Sequence, residues 1–184
     1  MPNWCECDLI VSGPVKELEK FKEQVTSGNE QDTDEQKVFN RIAGIKKELN
    51  YFDANKIIPY PEEYRLADET ASEYARKNPG DWTNCPADGY NHGGYEWCIT
   101  NWGTKWGLCD VFREERRRSV FYSFQCAWSP PVPVIMQASR MFPRLKFTLR
   151  YYEQGMGFSG KLVLKGGKTL TDDYNDNYRG GRGG

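Results

Sequence analysis

At 184 residues the chain is long enough to bury a hydrophobic core without disulfide bonds, and its 14% aromatic content is typical of a folded domain. The net charge of −1 conceals a strong asymmetry, because residues 1–110 carry 12 Lys and Arg against 20 Asp and Glu, whereas residues 111–184 carry 13 against 6. No window approaches the roughly 20 apolar residues of a membrane span and no secretory signal pattern is present. We therefore expect a cytoplasmic protein without a membrane partner, whose basic half faces either its own acidic half or an acidic partner.

The first part of the chain predicts a strand followed by a helix. Residues 3–13 alternate loosely between apolar and polar side chains and end at Gly13-Pro14, which is typical of a strand stopped by a turn. From Val15 onward apolar residues recur every three or four positions until near Gly28, as in an amphipathic helix with Pro14 at its first turn.

The middle of the chain predicts helices and long loops. The acidic segment 29–35 is expected to be a surface loop, and apolar spacing over residues 38–49 indicates a second short helix. A third helix is predicted from about Glu62 to Lys77. Residues 78–94 are rich in Gly, Pro, Asn and Asp and predict an irregular loop of unusual length.

From Leu108 the apolar period changes to two. Strands Leu108–Arg113 and Ser119–Ala127 are predicted to form a hairpin joined by residues 114–118. A proline-initiated helix over 130–142 follows, and then a strand pair at 145–151 and 158–164. The last residues, 169–184, have almost no aliphatic side chain and end in RGGRGG, which predicts disorder.

The order of these elements predicts an α+β fold. Without the middle segment it is β-α-β-β-α-β-β, which is a ferredoxin-like split βαβ antiparallel sheet with one extra C-terminal strand. We expect a single domain over residues 1–168 with a large helical and loop insertion at about 29–107, followed by a disordered tail over 169–184. Two helices would cover one face of the sheet, so the other face is either covered by the insertion or remains a binding surface.

Several short motifs together resemble one protein family. They are Met1-Pro2-Asn3-Trp4-Cys5, Trp102-Gly103-Thr104-Lys105-Trp106, Ala127-Trp128-Ser129-Pro130-Pro131, Tyr152-Glu153-Gln154-Gly155 and Phe158-Ser159-Gly160. The combination is similar to the Api92/YubB-type proteins with a ferredoxin-like domain, which are found on phages, plasmids and bacterial chromosomes. The resemblance implies a ferredoxin-like fold without an iron–sulfur cluster and a mobile-element setting, and it assigns no catalytic residue.

Possible chemical sites in the sequence are weak. Cys85, His92, Cys98 and Cys109 are suitable zinc ligands, but they lack the close pairs that structural zinc sites use. The glycines of residues 155–160 match a dinucleotide-binding pattern, but a strand follows them where that site needs a helix, so a hairpin turn is the better interpretation. We expect no catalytic residue, no metal and no cofactor.

Two groups of residues are candidates for binding. The first contains aromatic and polar side chains that could line a pocket within the Trp97–Asp110 segment or beside it: Trp102, Thr104, Lys105, Trp106 and Trp128. Trp102 and Trp106 are four residues apart and would share a helix face, so core packing is the favoured interpretation of both. The second group is the arginine run Arg113, Arg116, Arg117 and Arg118, which forms either a basic binding face or a solvated loop paired with the acidic half.

These observations favour a non-enzymatic binding protein of phage or mobile-element type. We expect it to act through a host protein or protein complex, for example by masking a surface of a host defence system. The alternative is a single-stranded nucleic-acid-binding protein, and a third hypothesis is a small-molecule-binding protein or an enzyme that uses the Trp97–Asp110 cleft.

Overall fold

The computed structural model describes residues 3–28 and 50–177 of the chain. In chain order its helices and strands are β1 Trp4–Ser12, α1 Val15–Val25, α2 Glu62–Lys77, α3 Gly94–Asn101, β2 Cys109–Arg116, β3 Ser119–Ala127, α4 Val132–Met141, β4 Lys146–Glu153, β5 Phe158–Lys165 and β6 Lys168–Asn175. Single-turn 3-10 helices lie at Ala54–Lys56 and Tyr90–His92. Within these ranges no helix is both long enough and apolar enough to cross a bilayer.

The six strands form one antiparallel sheet in the order β2-β3-β1-β4-β5-β6. The first four strands of that order, with α1 after β1 and α4 after β3, have the connectivity of a ferredoxin-like split βαβ unit. The predicted α+β, ferredoxin-like fold is confirmed. The sheet extends past β4 by two strands, one more than the sequence predicts.

One face of the sheet is buried beneath α1 and α4. On β1 the side chains Cys5, Cys7, Leu9 and Val11 alternate with their neighbours along the strand and are at most 1% exposed. The ring of Phe21 on α1 lies 5.3 to 6.1 Å from four other aromatic rings, those of Phe52, Tyr122, Phe142 and Phe147. Each fully buried side chain of this size stabilises the fold by about 1.5–3 kcal/mol, so this layer is the main source of stability.

The aromatic residues in the described part of the insertion pack on one another, and Phe52 joins them to the sheet, with its ring 5.4 Å from that of Tyr122 on β3. Trp102, at the end of α3, donates a hydrogen bond from Nε1 to the Ile58 carbonyl oxygen at 2.8 Å. Its ring lies 5.4 Å from that of Trp97 and 5.8 Å from that of Tyr60. The predicted third helix is confirmed as α2, whereas the predicted acidic loop at 29–35 and the second helix at 38–49 lie outside the described residues.

The predicted loop of the β2–β3 hairpin is too long. Strand β2 continues to Arg116, which pairs with Ser119, so that only Arg117 and Arg118 form the turn. Charged side chains at 114–116 suggested a loop, but on an edge strand they remain exposed and are compatible with pairing.

The prediction of a disordered tail from residue 169 is wrong for residues 169–175, which form most of β6. This segment buries little apolar surface and is held by backbone hydrogen bonds to β5. Gly166 and Gly167, with φ angles of +57° and +71°, make the two-residue turn that returns the chain along β5. The six-stranded sheet thus extends beyond residue 168, and residues 178–184 lie outside the described part of the chain.

Candidate binding surface

The Trp102–Trp106 motif is mainly structural. Trp102 is 5% exposed, and the buried Thr104 donates a hydrogen bond from Oγ1 to the Ala127 carbonyl oxygen at 2.9 Å. Gly103, with a φ of +78°, ends α3 by donating its N–H to the Cys98 and Ile99 carbonyl oxygens. The helix stops before Trp106, so the prediction that Trp102 and Trp106 share a helix face is wrong.

Lys105 and Trp106 lie at the surface beside the start of β1. The Lys105 ammonium is 5.1 Å from the centroid of the Trp106 ring and 5.7 Å from that of Tyr95. Trp106 also makes an edge contact with Trp4 at 6.2 Å. This aromatic group continues onto the face of the sheet that carries Trp4.

Trp128 is 44% exposed and stands in the turn after β3 with a φ of +75°. The backbone N–H of Trp128 donates to the Asn3 carbonyl oxygen at 2.9 Å. The next residue, Ser129, donates from Oγ to the Gly103 carbonyl oxygen at 2.6 Å. These hydrogen bonds hold the two tryptophan motifs and the start of β1 together, so that Thr104 and Ser129 have structural roles.

The structure does not bring the four candidate arginines together on one face. Arg113 points to the helix side of the sheet, with its guanidinium 4.5 Å from the centroid of the Tyr51 ring. Arg116 lies on the opposite side, donates to Glu114 at 2.9 Å and covers the Phe121 ring at 5.1 Å. Arg117 and Arg118 are exposed in the turn.

The sheet face opposite α1 and α4, which we call the open face, keeps its side chains partly exposed. It carries Glu6 and Asp8 on β1, Phe121 on β3 and Phe112 on β2, of which Phe112 is 57% exposed. These four residues line an open depression of about 600 Å³ together with Asp110, Ser123, Phe124 and Gln125, and Gln125 donates to Glu6 at 2.9 Å. The depression combines three carboxylates with the exposed ring of Phe112 and the half-buried ring of Phe121.

A backbone irregularity places Asp110 at the rim of this depression. The register between β2 and β3 shifts between Cys109 and Phe112, and Asp110 has a φ of +50°. Aspartate is among the few residues that adopt this left-handed conformation readily, and bulges on edge strands commonly redirect a side chain.

The other half of the open face is basic. Lys146 pairs with Lys165 across β4 and β5, and Arg150 pairs with Lys161. We call these four residues the basic strip. Like charges directly opposite each other disfavour strand pairing, but Arg150 also pairs with Asp8 on β1 and Lys161 with Asp173 on β6, which offsets part of that repulsion.

The weaker chemical candidates find structural explanations. Among residues 3–28 and 50–177 no cluster of His, Cys, Asp and Glu could hold a metal ion. Burial raises the pKa of the Cys98 thiol to about 11, which keeps it protonated at neutral pH. The glycine motif at 155–160 is a hairpin turn, in which the buried Glu153 carboxylate accepts hydrogen bonds from the N–H groups of Gly155 and Met156.

The sequence interpretation missed the acidic half of the open face. Its signal is the alternation along β1, where Glu6 and Asp8 are out of phase with the buried Cys5, Cys7 and Leu9. Asp110 carried no such signal, because the bulge that positions it interrupts the alternation of β2.

Comparisons with known proteins agree with this architecture. Residues 101–181 match the model of the ferredoxin-like domain in Api92-like proteins. The crystal structure of the protein api92 from Yersinia pseudotuberculosis is similar with a TM-score of 0.56 and 12% sequence identity, over 98% of this chain and 100% of that chain, a likeness of fold alone. No curated protein matches the sequence significantly. The resemblance noted in the sequence is confirmed over residues 101–181, which match the ferredoxin-like domain of Api92-like proteins.

Proposed function

We propose that this chain is a non-enzymatic binding protein that engages a partner protein through the open face of its sheet. The observation that carries the proposal is the exposure of large side chains on that face, above all Phe112 on β2 and Trp4 on β1. Exposed aromatic residues on a flat, regular surface are a common feature of protein interfaces. The polar side chains around them would form the rim of such an interface.

A protein partner fits the charges of the open face better than a nucleic acid does. Glu6 and Asp8 occupy the central strand β1, and Asp110 adds a third carboxylate beside them. A phosphate backbone lying across the middle of the sheet would meet these three negative charges. A protein surface can instead present basic groups to them and acidic groups to the basic strip.

A single-stranded nucleic acid remains the second candidate because of the basic strip. Its four cations lie side by side on β4 and β5, and Tyr152 on the same face offers a ring for stacking. This candidate predicts binding that weakens steeply with salt. The Trp97–Asp110 cleft is less suited to a small molecule, since Trp102 and Thr104 are buried in packing.

The wider setting follows the family resemblance and stays a prediction. A chain of phage or mobile-element type that masks a surface of a host system, such as a defence complex, needs only a binding face of this kind. The identity of that host partner would come from the experiment below.

The test is affinity capture with the tagged full chain, with and without nuclease, for the wild type and for Phe112→Ser/Phe121→Ser. The control variant is Leu66→Ser, which removes a 49% exposed side chain of α2, outside the sheet. We expect one partner protein that survives nuclease and is lost only from the double variant. A partner retained by the double variant would overturn the role of the open face, and recovery of nucleic acid alone would favour the second candidate.

A further inference from the structure

We propose that the depression on the open face accepts an arginine side chain presented by the partner protein. This inference rests on the proposed function and names the chemistry of the contact. The depression lies over β1, β3 and β2 and joins the carboxylates of Glu6, Asp8 and Asp110 to the rings of Phe112 and Phe121. Carboxylates and exposed ring faces are the two groups that bind a guanidinium, through ion pairs and cation–π contacts respectively.

The protein already contains one example of this contact at the edge of the depression. The Arg116 guanidinium donates to both Glu114 carboxylate oxygens, at 2.9 and 3.3 Å, while it covers the Phe121 ring at 5.1 Å. Glu114 and Phe121 are register partners on adjacent strands. The same combination of a carboxylate and a phenyl ring recurs one step along β2, where Asp110 and Phe112 lie on the same side of the strand.

The shape of the site favours arginine over lysine. A guanidinium is planar, so it can lie flat on a phenyl ring and still donate from its edge to a carboxylate. The ammonium of lysine is a compact and strongly hydrated charge, which loses more hydration on a partly apolar surface. The open depression of about 600 Å³ leaves room for the stem of an arginine against the exposed ring of Phe112.

Charge complementarity across the face also orients the partner. Arg150 of the basic strip is the register partner of Asp8, so the acidic and basic halves adjoin along the β1–β4 ladder. Strands are about 4.8 Å apart, and β4 and β5 are the third and fourth strands from β2, which places the basic strip about 14–19 Å from Phe112 and Asp110. A matching partner segment therefore presents an arginine and, at about that distance, acidic side chains.

The test is an NMR titration of the full-length ¹⁵N-labelled chain with N-acetyl-arginine amide. N-acetyl-citrulline amide, which has nearly the same shape without the charge, and N-acetyl-lysine amide are the comparison probes. We expect saturable shifts at the amides around Asp110, Phe112 and Phe121 in a roughly millimolar range, with lysine weaker and citrulline without effect. Asp110→Asn retains a residue suited to a positive φ and should weaken arginine binding about three- to tenfold.

The control variant is Asp173→Asn, which removes a carboxylate of β6 at the far edge of the sheet and should leave the titration unchanged. Equal shifts from citrulline and arginine, or no shifts in the depression, would overturn the inference. If arginine fails to bind while Phe112→Ser/Phe121→Ser still loses the partner, the inference fails and the proposed function stands. If arginine binds but the double variant keeps its partner, the proposed function fails instead.

Discussion

At the scale of single residues, Gly103 shows how closely the insertion packs against helix α4. Its φ of +78° favours glycine, and a Cβ atom added there would lie 2.5 Å from Cδ of Pro133 at the start of α4. We expect Gly103→Ala to lower the free energy of unfolding by about 2–4 kcal/mol, because it adds a clash to an unfavourable backbone conformation. Urea denaturation followed by tryptophan fluorescence measures this change.

Gly80 provides the matched control for that prediction. It has a similar φ of +90°, but a Cβ atom at this position would meet nothing within 4 Å. Gly80→Ala should therefore cost only the backbone term of about 1 kcal/mol. If both substitutions had the same effect, the close contact between Gly103 and Pro133 would not contribute to stability.

The hydroxyl of Tyr122 is a buried polar group that we expect to lower the stability of the core. Its ring is fully buried between Phe21 and Phe52, and its hydroxyl has no hydrogen-bond partner among the residues that the structure describes. Burial raises the pKa of this phenol, so the group stays neutral. We expect Tyr122→Phe to raise the free energy of unfolding by up to about 1 kcal/mol in urea denaturation.

The same substitution at Tyr60 is the control, because the Tyr60 hydroxyl donates to Asp68 at 3.3 Å. Tyr60→Phe should lower stability where Tyr122→Phe raises it. A clear loss of stability in Tyr122→Phe would mean that its hydroxyl is hydrogen-bonded and that this account of the core is wrong.

At the scale of elements, a partly exposed ion pair joins α1 to β2. The side chain of Lys22 is 12% exposed, and its ammonium lies 2.9 Å from Glu115 and 2.8 Å from Glu19. The hydrogen bond from Lys22 lowers the pKa of Glu115 below its usual range. A carboxyl whose folded-state pKa is lowered stabilises the fold above its unfolded pKa of about 4.3 and loses that contribution as the pH falls through the folded value.

We therefore expect Glu115→Gln to reduce the loss of stability on acidification. The Glu115 side chain is 56% exposed and screened by water, so the effect is small. The free energy of unfolding of Glu115→Gln should be only about 0.5 kcal/mol below that of the wild type at pH 7, and the two should be equal near pH 3. Urea denaturation at the two pH values measures it. Lys22→Met should reduce this difference to the small part that Arg113, 3.6 Å from Glu115, contributes. An undiminished difference in the Lys22→Met background would contradict the role of the Lys22–Glu115 pair.

Strand β6 shows why the sequence predicts some elements better than others. Those that bury an apolar face, such as β1 and α1, repeat at a period that can be read directly. Strand β6 buries little, and its existence depends on backbone pairing with β5 after the Gly166-Gly167 turn. A polar edge strand of this kind has the composition of a loop, so composition alone predicted disorder.

At the scale of the whole molecule, the sequence predicted the fold but not the surface. The order of helices and strands along the chain limits how they can be connected, so it is sufficient to predict the ferredoxin-like arrangement. The depression depends on strands far apart in sequence, since Glu6, Phe121 and Asp110 come together only through the pairing of β1, β3 and β2. The arginine run is easy to recognise in the sequence, but its arginines do not form one surface. Alternation along β2 sends Arg113 and Arg116 to opposite faces.

The measurement that tests the central proposal most directly is site-specific photo-crosslinking in cells with p-benzoylphenylalanine at position 112, and at position 66 as the control. We predict a single protein crosslinked from position 112, absent from position 66, and lost when Phe121→Ser is added on the adjacent strand. Crosslinks that persist with Phe121→Ser, or that form equally from α2, would contradict the assignment of the open face as the binding surface.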